Sequence, residues 1–348
     1  MGRISRFGIP VGDAVQCGVC ERRCVLKPGA WGFCGNYVNV DGELVLGSYG
    51  WLSAVEVRPA EVKPFFHYWP GSRALTFSGW GCNFTCPWCQ NWHLSKVRFG
   101  RGGRGMGSYF SPDELVGLAL TEGVEGLCAS FHEPGVILDY VLDVFEEGSR
   151  RGLYCCVVTN AFFTLDALRA LLDAGCDGFS IDVKGCPETY ARFMGARGGE
   201  EVVLRNAEYV LEEGGHVEVV FLVVPGANDL RECVEWVLRE VKERLGDDVP
   251  LHVNRYFPAY KYSEPPTPLE TLAWVRERAR ELGFKYVYVG NVWGGEELIN
   301  TYCPSCGALL IRRHHYGVSE VNLKPVDSEG YECLECGFRI KLKGKIPS

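Results

Sequence analysis

Short apolar stretches rich in β-branched and aromatic residues recur through the middle of the chain, and amphipathic stretches separate most of them. The predicted strands are residues 73–78, 126–131, 153–159, 178–184, 216–224, 251–256 and 285–290. Strands that alternate with helices indicate βαβ units and a parallel sheet. Six or seven such repeats predict an α/β fold in which the sheet forms a full or partial (β/α) barrel.

Capping residues mark the ends of several predicted helices. Ser111 and Glu114 form the pattern of a capping box, with proline at the first helical position. Thr164 begins a second helix that ends at Gly175. Periodicity predicts two more helices at residues 229–245 and 268–282. In such barrels the active site lies where loops leave the carboxyl ends of the strands.

Three zones follow one another along the 348 residues. Residues 1–72 hold a cysteine cluster and strand-like sequence, residues 73–298 hold the predicted barrel, and residues 299–348 hold two cysteine pairs. The net charge of -8 disfavours broad, charge-driven binding of nucleic acid. No stretch approaches the ~20 apolar residues of a membrane span, and residues 1–10 lack a signal-peptide run. We therefore expect a cytoplasmic protein.

The 17 cysteines are the most informative residues, because eleven of them fall in three tight clusters. In a cytoplasmic chain, clustered cysteines indicate metal binding rather than disulfides. We expect the remaining six to be small, buried apolar residues. These are Cys128, Cys155, Cys156, Cys176, Cys186 and Cys233.

The central cluster has the spacing C-x3-C-x2-C and follows the first predicted barrel strand. Its cysteines are Cys82, Cys86 and Cys89, with Trp88 just before the last. Three thiolates can hold three irons of a [4Fe–4S] cluster and leave the fourth iron open to another ligand. The alternative is a zinc loop completed by His93.

Each of the other clusters offers four thiolates. The N-terminal set is Cys17, Cys20, Cys24 and Cys34, which predicts either a second [4Fe–4S] cluster or structural zinc. The C-terminal set is Cys303, Cys306, Cys333 and Cys336. Two C-x2-C pairs at this spacing predict a small zinc ribbon, with a rubredoxin-like iron site as the alternative.

The central motif resembles the signature of the radical S-adenosylmethionine (SAM) superfamily. Nearly the whole chain resembles the AmmeMemoRadiSam radical SAM enzymes, relatives of the pyruvate formate-lyase activating enzymes. The segments that carry the resemblance are residues 17–24, 31–35, 63–71, 81–92, 159–160, 182–185, 223–226 and 257–261. The resemblance implies that SAM binds the open iron and is cleaved reductively to a 5′-deoxyadenosyl radical, which abstracts hydrogen from an unidentified substrate.

The same resemblance implies a set of SAM-contacting residues at the strand ends. They are Trp88, Glu133, Thr159, Asn160, Asp182, Lys184, His252 and Arg255. Glu133 is expected to accept hydrogen bonds from the SAM amino group, and Lys184 to neutralise the SAM carboxylate. The chain departs from the activating enzymes at Val158, where they carry Asp, so a cation site of that type is not expected here.

Two other functions remain as alternatives. One is an activating enzyme that installs a glycyl radical on a partner protein. The other is a zinc-ribbon protein for electron transfer or nucleic-acid binding, with a vestigial barrel. The resemblance also implies a one-electron donor such as a ferredoxin or flavodoxin, and association with Memo-like and AMMECR-like proteins.

Overall fold

The N-terminal zone consists of short antiparallel strands around the first four cysteines. The structure is a computed structural model, and it describes residues 2–101, 106–327 and 330–346. The first strands are β1 (Arg3–Ile4), β2 (Gly8–Val11), β3 (Ala14–Cys17), β4 (Val25–Leu26), β5 (Tyr37–Val40), β6 (Glu43–Leu46), β7 (Trp51–Leu52) and β8 (Ala54–Pro59). Strands β2, β3 and β4 form one small sheet, and β1, β6 and β5 form another. Strand β8 instead pairs with the first strand of the barrel, so residues 1–72 contribute to the central sheet.

The central sheet is an open, mostly parallel sheet. The strands of residues 73–298 are β9 (Arg73–Ser78), β10 (Ser108–Tyr109), β11 (Gly126–Ala129), β12 (Tyr154–Thr159), β13 (Cys176–Asp182), β14 (His216–Val223), β15 (Leu251–Arg255) and β16 (Val287–Gly290). The strand order in the central sheet is β8-β9-β11-β12-β13-β14-β15-β16. All neighbours from β9 to β16 are parallel, and only the β8 edge is antiparallel. The predicted α/β barrel is therefore confirmed as a partial one.

The helices are α1 (Trp92–Ser95), α2 (Pro112–Thr121), α3 (Leu138–Arg150), α4 (Leu165–Asp173), α5 (Pro187–Thr189), α6 (Gly199–Glu212), α7 (Arg231–Leu245) and α8 (Leu269–Glu281). The longer helices cover the outer face of this sheet, whereas the short α1 and α5 lie in the loops after β9 and β13. The predicted capping box is confirmed, since Ser111 Oγ accepts from Glu114 N at 3.3 Å and the Glu114 carboxylate accepts from Ser111 N at 2.8 Å. The long helices place buried leucine and valine against the strands, each contributing about 1.5–3 kcal/mol.

Irregular turns join these elements near the strand ends. The 3-10 turns are Ala60–Val62, Phe99–Arg101, Pro134–Ile137 and Glu296–Leu298, and one π-helical turn spans Tyr190–Met194. Within the described ranges, no helix has both the length and the apolar character needed to cross a membrane.

The C-terminal zone consists of two three-stranded sheets that pack against the barrel. Its strands are β17 (Thr301–Tyr302), β18 (Leu309–His314), β19 (Gly317–Val321), β20 (Leu323–Asp327), β21 (Gly330–Cys333) and β22 (Arg339–Lys341). The fully buried Arg313 donates from Nη2 to the carbonyl of Phe66 at 2.7 Å. Glu218 of β14 accepts the backbone N–H of Phe66 and of His67, at 3.0 and 2.7 Å. The segment 60–72 is thus held between the ribbon and the barrel.

The expectation that all six scattered cysteines are simple buried residues is wrong for two of them. Cys186 and Cys233 form a disulfide, with their Cα atoms 5.2 Å apart. Cys186 follows β13 and Cys233 lies in the first turn of α7, so the fold brings together residues separated by 47 positions. A pairing across such a separation depends on tertiary packing and has no local sequence signal.

Candidate functional site

The loop after β9 carries the central cysteines to the carboxyl end of the barrel. We call Cys82, Cys86 and Cys89 the motif thiols. All three line one cavity of about 590 Å³, together with residues of the parallel strands β12 to β15 and of the loop after β11. Among the described residues, the motif thiols are absent from the groups whose ligand atoms all lie within 4.8 Å of one another. An iron–sulfur cluster, which binds its thiolates at separate iron corners, does not require the close ligand spacing of one zinc ion.

Hydrogen-bond donors already point at the motif thiols. The backbone N–H of Phe84 donates to Cys82 Sγ at 3.3 Å, and Asn160 Nδ2 donates to the same sulfur at 3.8 Å. Burial raises the pKa of Cys86, whereas the cations of Lys184 and Lys96 oppose that shift. These donors and cations favour the thiolate form, which is the form that binds iron.

Glu133 lies at the centre of a buried hydrogen-bond network at the ends of β11 and β12. Its Oε1 accepts from Thr159 Oγ1 at 2.8 Å and from Gly135 N at 3.0 Å. Its Oε2 accepts from Asn160 N at 2.9 Å. Burial raises the pKa of Glu133 to about 6, against the effect of these donors. The network fixes the carboxylate in the cavity wall, and Oε2, which accepts one hydrogen bond, keeps capacity for another.

Asp182 and Lys184 bring a second charged pair to the same cavity. Their Oδ2 and Nζ atoms lie 2.8 Å apart, and both residues line the cavity. The Asp182 carboxylate raises the pKa of Lys184 although burial opposes it. Trp88 lies in the wall, packed against Phe193 and Tyr262 with ring centroids 5.2 and 5.4 Å away.

Two predicted SAM contacts lie elsewhere. Arg255 does not line the cavity, because its Nε donates to the carbonyl of Thr267 at 2.8 Å and its guanidinium lies over the ring of Phe257. His252 lines an adjoining cavity deeper in the barrel, and its Nε2 bonds Glu218 Oε2 at 2.7 Å. Both residues are on β15, and Asn254, which lies between them on the chain, does line the cavity.

Sequence reasoning missed several polar residues of the cavity wall. Lys63, Lys96 and Asn291 all line it. Lys63 is almost fully buried, and its Nζ lies 3.6 Å from the ring centroid of Phe131. A charged residue at the head of the aromatic run at 63–69 is the signal that would have identified it.

The cavity fits the groups that the sequence implies. Its volume is in the range of small-molecule sites. It offers three thiols, two carboxylates and three ammonium groups, which match an iron–sulfur cluster and the two charged ends of an amino acid. His132 also lines the cavity, and its buried Nε2 has no hydrogen-bond partner among the described residues. A buried polar atom of this kind indicates a missing ligand or water.

The two outer cysteine sets differ from each other in spacing. The ribbon thiols, Cys303, Cys306, Cys333 and Cys336, lie within 4.8 Å of one another. The Sγ pairs 303–336 and 306–333 are 3.6 and 3.8 Å apart, close to the about 3.8 Å of a tetrahedral S4 site with 2.3 Å bonds. The N-terminal thiols, Cys17, Cys20, Cys24 and Cys34, line one small cavity but form no such compact group.

Comparison with known proteins identifies relatives over the whole chain. An uncharacterized protein of Methanocaldococcus jannaschii, MJ0808, is 36% identical over 336 residues, which cover 95% of this chain and 96% of the relative. A second uncharacterized protein of that organism, MJ0674, is 27% identical over 210 residues, 59% of this chain and 60% of the relative.

Solved structures show more distant similarity. A radical SAM methyltransferase from Sphaerobacter thermophilus has a TM-score of 0.47 at 15% identity and covers 69% of this chain and 71% of its own. A domain of a pyruvate-formate lyase-activating enzyme from Bacteroides vulgatus has a TM-score of 0.41 at 14% identity, covering 48% and 99%.

The family model named radical SAM superfamily matches residues 78–239. This range begins at the last residue of β9, contains the motif thiols, and ends within α7. It includes the ends of β11, β12 and β13, which contribute residues to the cavity. With that match and this geometry together, the chain belongs to the radical SAM superfamily.

Proposed function

We propose that the protein uses a [4Fe–4S] cluster on the motif thiols to cleave SAM, and directs the resulting radical at a small polar substrate inside the barrel. The observation that carries this proposal is that the motif thiols share one cavity with Glu133, Asp182 and Lys184. When bound, the reduced cluster supplies the electron that splits SAM into methionine and a 5′-deoxyadenosyl radical. AmmeMemoRadiSam-type chemistry is the subtype that we propose.

The protein's own residues bind and orient the cosubstrate. The methionine part of SAM carries an ammonium and a carboxylate. Glu133 is placed to accept a hydrogen bond from the ammonium, because it lines the cavity and its network leaves Oε2 with a free acceptor position. Lys184 is placed to pair with the carboxylate, and Asp182 holds its ammonium in position at 2.8 Å.

Aromatic side chains limit the access of water to the reacting atoms. Trp88 is buried, and Phe131 lines the cavity with Lys63 stacked against it. A radical that reached solvent would be quenched, so a dry, closed wall is a functional requirement.

A second cavity favours a small substrate over a protein radical site. It has a volume of about 310 Å³ and shares Asp182, Asn254 and Asn291 with the cavity of the motif thiols. Its wall includes Glu61, which is 1% exposed and whose Oε2 has no hydrogen-bond partner among the described residues. A buried, unsatisfied carboxylate oxygen suits a substrate that donates a hydrogen bond, such as an amine or hydroxyl compound.

SAM cleavage is the direct test. The protein is purified without oxygen, reconstituted with iron and sulfide, reduced with dithionite and assayed for 5′-deoxyadenosine. We expect product from the wild type and none from Cys82→Ala. Cys176→Ala is the matched control, because Cys176 is buried at the opposite end of β13, and it should retain activity. A reduced cluster that yields no product would refute the proposal.

We also infer zinc at the ribbon thiols. Each C-x2-C pair ends in a glycine with positive φ, +77° at Gly307 and +73° at Gly337. The backbone N–H of Phe338 is the main cause that lowers the pKa of Cys336 to about 7. Two such turns facing each other build a tetrahedral thiolate site. Metal analysis of Cys333→Ser should show the loss of one zinc per chain, whereas loss of iron would identify the rubredoxin-like alternative.

A further inference from the structure

The N-terminal thiols occupy a cavity with an otherwise largely apolar wall. Val19, Phe33, Tyr37 and Val136 line it beside the four sulfurs. Cys17 is buried, and Cys20, Cys24 and Cys34 are half-buried. Four cysteines gathered around one small, largely apolar cavity form a prearranged thiolate site.

Sulfur spacing separates this site from the ribbon. The ribbon thiols have the spacing of ligands around a single ion, as shown by their 3.6 and 3.8 Å pairs. Among the described residues, the N-terminal thiols are absent from the groups whose ligand atoms all lie within 4.8 Å. A cubane binds its thiolates at four separate iron corners, so it needs sulfurs further apart than one zinc ion does.

The N-terminal site also touches the motif loop. Asn83, the residue after Cys82, lines the N-terminal cavity, whereas Cys82 itself lines the central cavity. Asn160 Nδ2 donates to Asn83 Oδ1 at 2.8 Å and also reaches Cys82 Sγ. On the other side, a Cβ added at Gly81 would lie 2.4 Å from the carbonyl oxygen of Cys34. The two sites therefore share a wall one residue thick.

One cation serves both sites. Arg22 interacts electrostatically with Cys20, Cys24 and Cys82. Its guanidinium lies 3.8 Å from the ring centroid of Phe33 and donates from Nε to the carbonyl of Asn83. A half-buried arginine between two thiolate sets offsets the negative charge that two clusters would concentrate there.

We propose that the N-terminal thiols bind a second [4Fe–4S] cluster that relays electrons to the cluster on the motif thiols. One electron passes from the reduced N-terminal cluster to the oxidised motif cluster, with no bond made or broken. The N-terminal cluster is then reduced again by a one-electron protein donor of the ferredoxin or flavodoxin class. The relay rests on the proposed function, whereas the presence of the cluster does not.

The cluster is tested by iron content and electron paramagnetic resonance (EPR), independently of activity. In the Cys82→Ala/Cys86→Ala/Cys89→Ala variant we expect about four irons and about four sulfides per chain, with a reduced-cluster EPR signal that SAM does not change. In Cys17→Ala/Cys20→Ala, only the SAM-responsive signal should remain. Cys155→Ala/Cys176→Ala, which removes two buried cysteines outside all three clusters, is the matched control and should keep the full iron content.

The wild-type protein provides a second test that does not depend on folding of a variant. Two reduced-cluster signals, of which SAM shifts one, support the proposal. A single SAM-responsive signal, with zinc beyond that of the ribbon, overturns it. For the relay, dithionite should still reduce the motif cluster of Cys17→Ala/Cys20→Ala, whereas reduction by flavodoxin should be lost. Equal flavodoxin rates in variant and wild type would refute the relay, and unchanged SAM cleavage would leave the proposed function intact.

Discussion

Glu218 and His252 lie on the neighbouring strands β14 and β15, with Oε2 and Nε2 2.7 Å apart inside the barrel. Both side chains are almost fully buried. The other carboxylate oxygen of Glu218 lies 3.1 Å from His216 Nε2. The carboxylate also accepts hydrogen bonds from two backbone N–H groups of the segment 60–72. One buried carboxylate thus joins two strands to the segment that closes the lower end of the sheet.

Replacing Glu218 by Gln should destabilise the fold strongly. Every partner of Glu218 donates, so the amide of Gln would place N–H groups against other donors. We expect a loss of about 3 kcal/mol in the free energy of unfolding. The matched control is Glu235→Gln, which breaks the surface pair with Arg278 and should cost about 0–1 kcal/mol. Urea unfolding midpoints measure both, and equal losses would contradict the role assigned to Glu218.

The buried His67 predicts a loss of stability in mild acid. Its ring bonds Tyr288 Oη at 2.7 Å, and burial lowers its pKa to about 3. The unfolded chain binds a proton at this side chain below pH of about 6.5, whereas the folded chain stays neutral. The free energy of unfolding should therefore fall by about 1.4 kcal/mol per pH unit between these values.

Variants isolate the contribution of His67. His67→Gln should show a shallower decline in melting temperature between pH 7 and pH 5 than the wild type. His93→Gln alters an exposed side chain of α1 and should leave the slope unchanged. If both variants follow the wild-type slope, the acid sensitivity arises from other groups.

Local and periodic features of the fold could be predicted from the sequence. Strand β9 coincides with the predicted range at both ends, and helix α7 begins two residues after the predicted start and ends at the same residue. Continuous apolar runs in the buried strands and capping chemistry at Ser111 and Thr164 are local properties, so they appear in the order of residues.

Features that depend on packing between residues far apart in the sequence could not be predicted. Arg255 was expected to line the cavity of the motif thiols, but its guanidinium donates to the carbonyl of Thr267 in the following loop. The role of segment 60–72 was also unexpected, because its partners Glu218 and Arg313 come from β14 and the ribbon. The contacts of segment 60–72 with Glu218 and Arg313 join residues more than a hundred positions apart, and no periodic pattern encodes them.

The disulfide between Cys186 and Cys233 should stabilise the loop that carries Lys184. It closes a loop of 47 residues, for which chain entropy predicts up to about 4 kcal/mol. Cys186→Ser/Cys233→Ser should lower the free energy of unfolding toward that limit. Reduction of the wild type should cause the same decrease, whereas the variant should not respond to reductant. Alkylation of the denatured wild type that finds both thiols free would show that the bond does not form.

Glu133 predicts a pH-dependent affinity for SAM. Because the pKa of Glu133 is raised to about 6, its carboxylate is charged at pH 8 and increasingly protonated below pH 6. If it accepts hydrogen bonds from the SAM ammonium, affinity should fall as the pH drops through this range. Glu133→Gln should weaken binding about tenfold or more at pH 8, the equivalent of one charge-assisted hydrogen bond, and should abolish the pH dependence. Equilibrium dialysis with labelled SAM measures both effects. Glu188→Gln, on the exposed face of α5, should bind as the wild type does, and a Glu133→Gln variant with wild-type affinity at every pH would place the SAM ammonium elsewhere in the cavity.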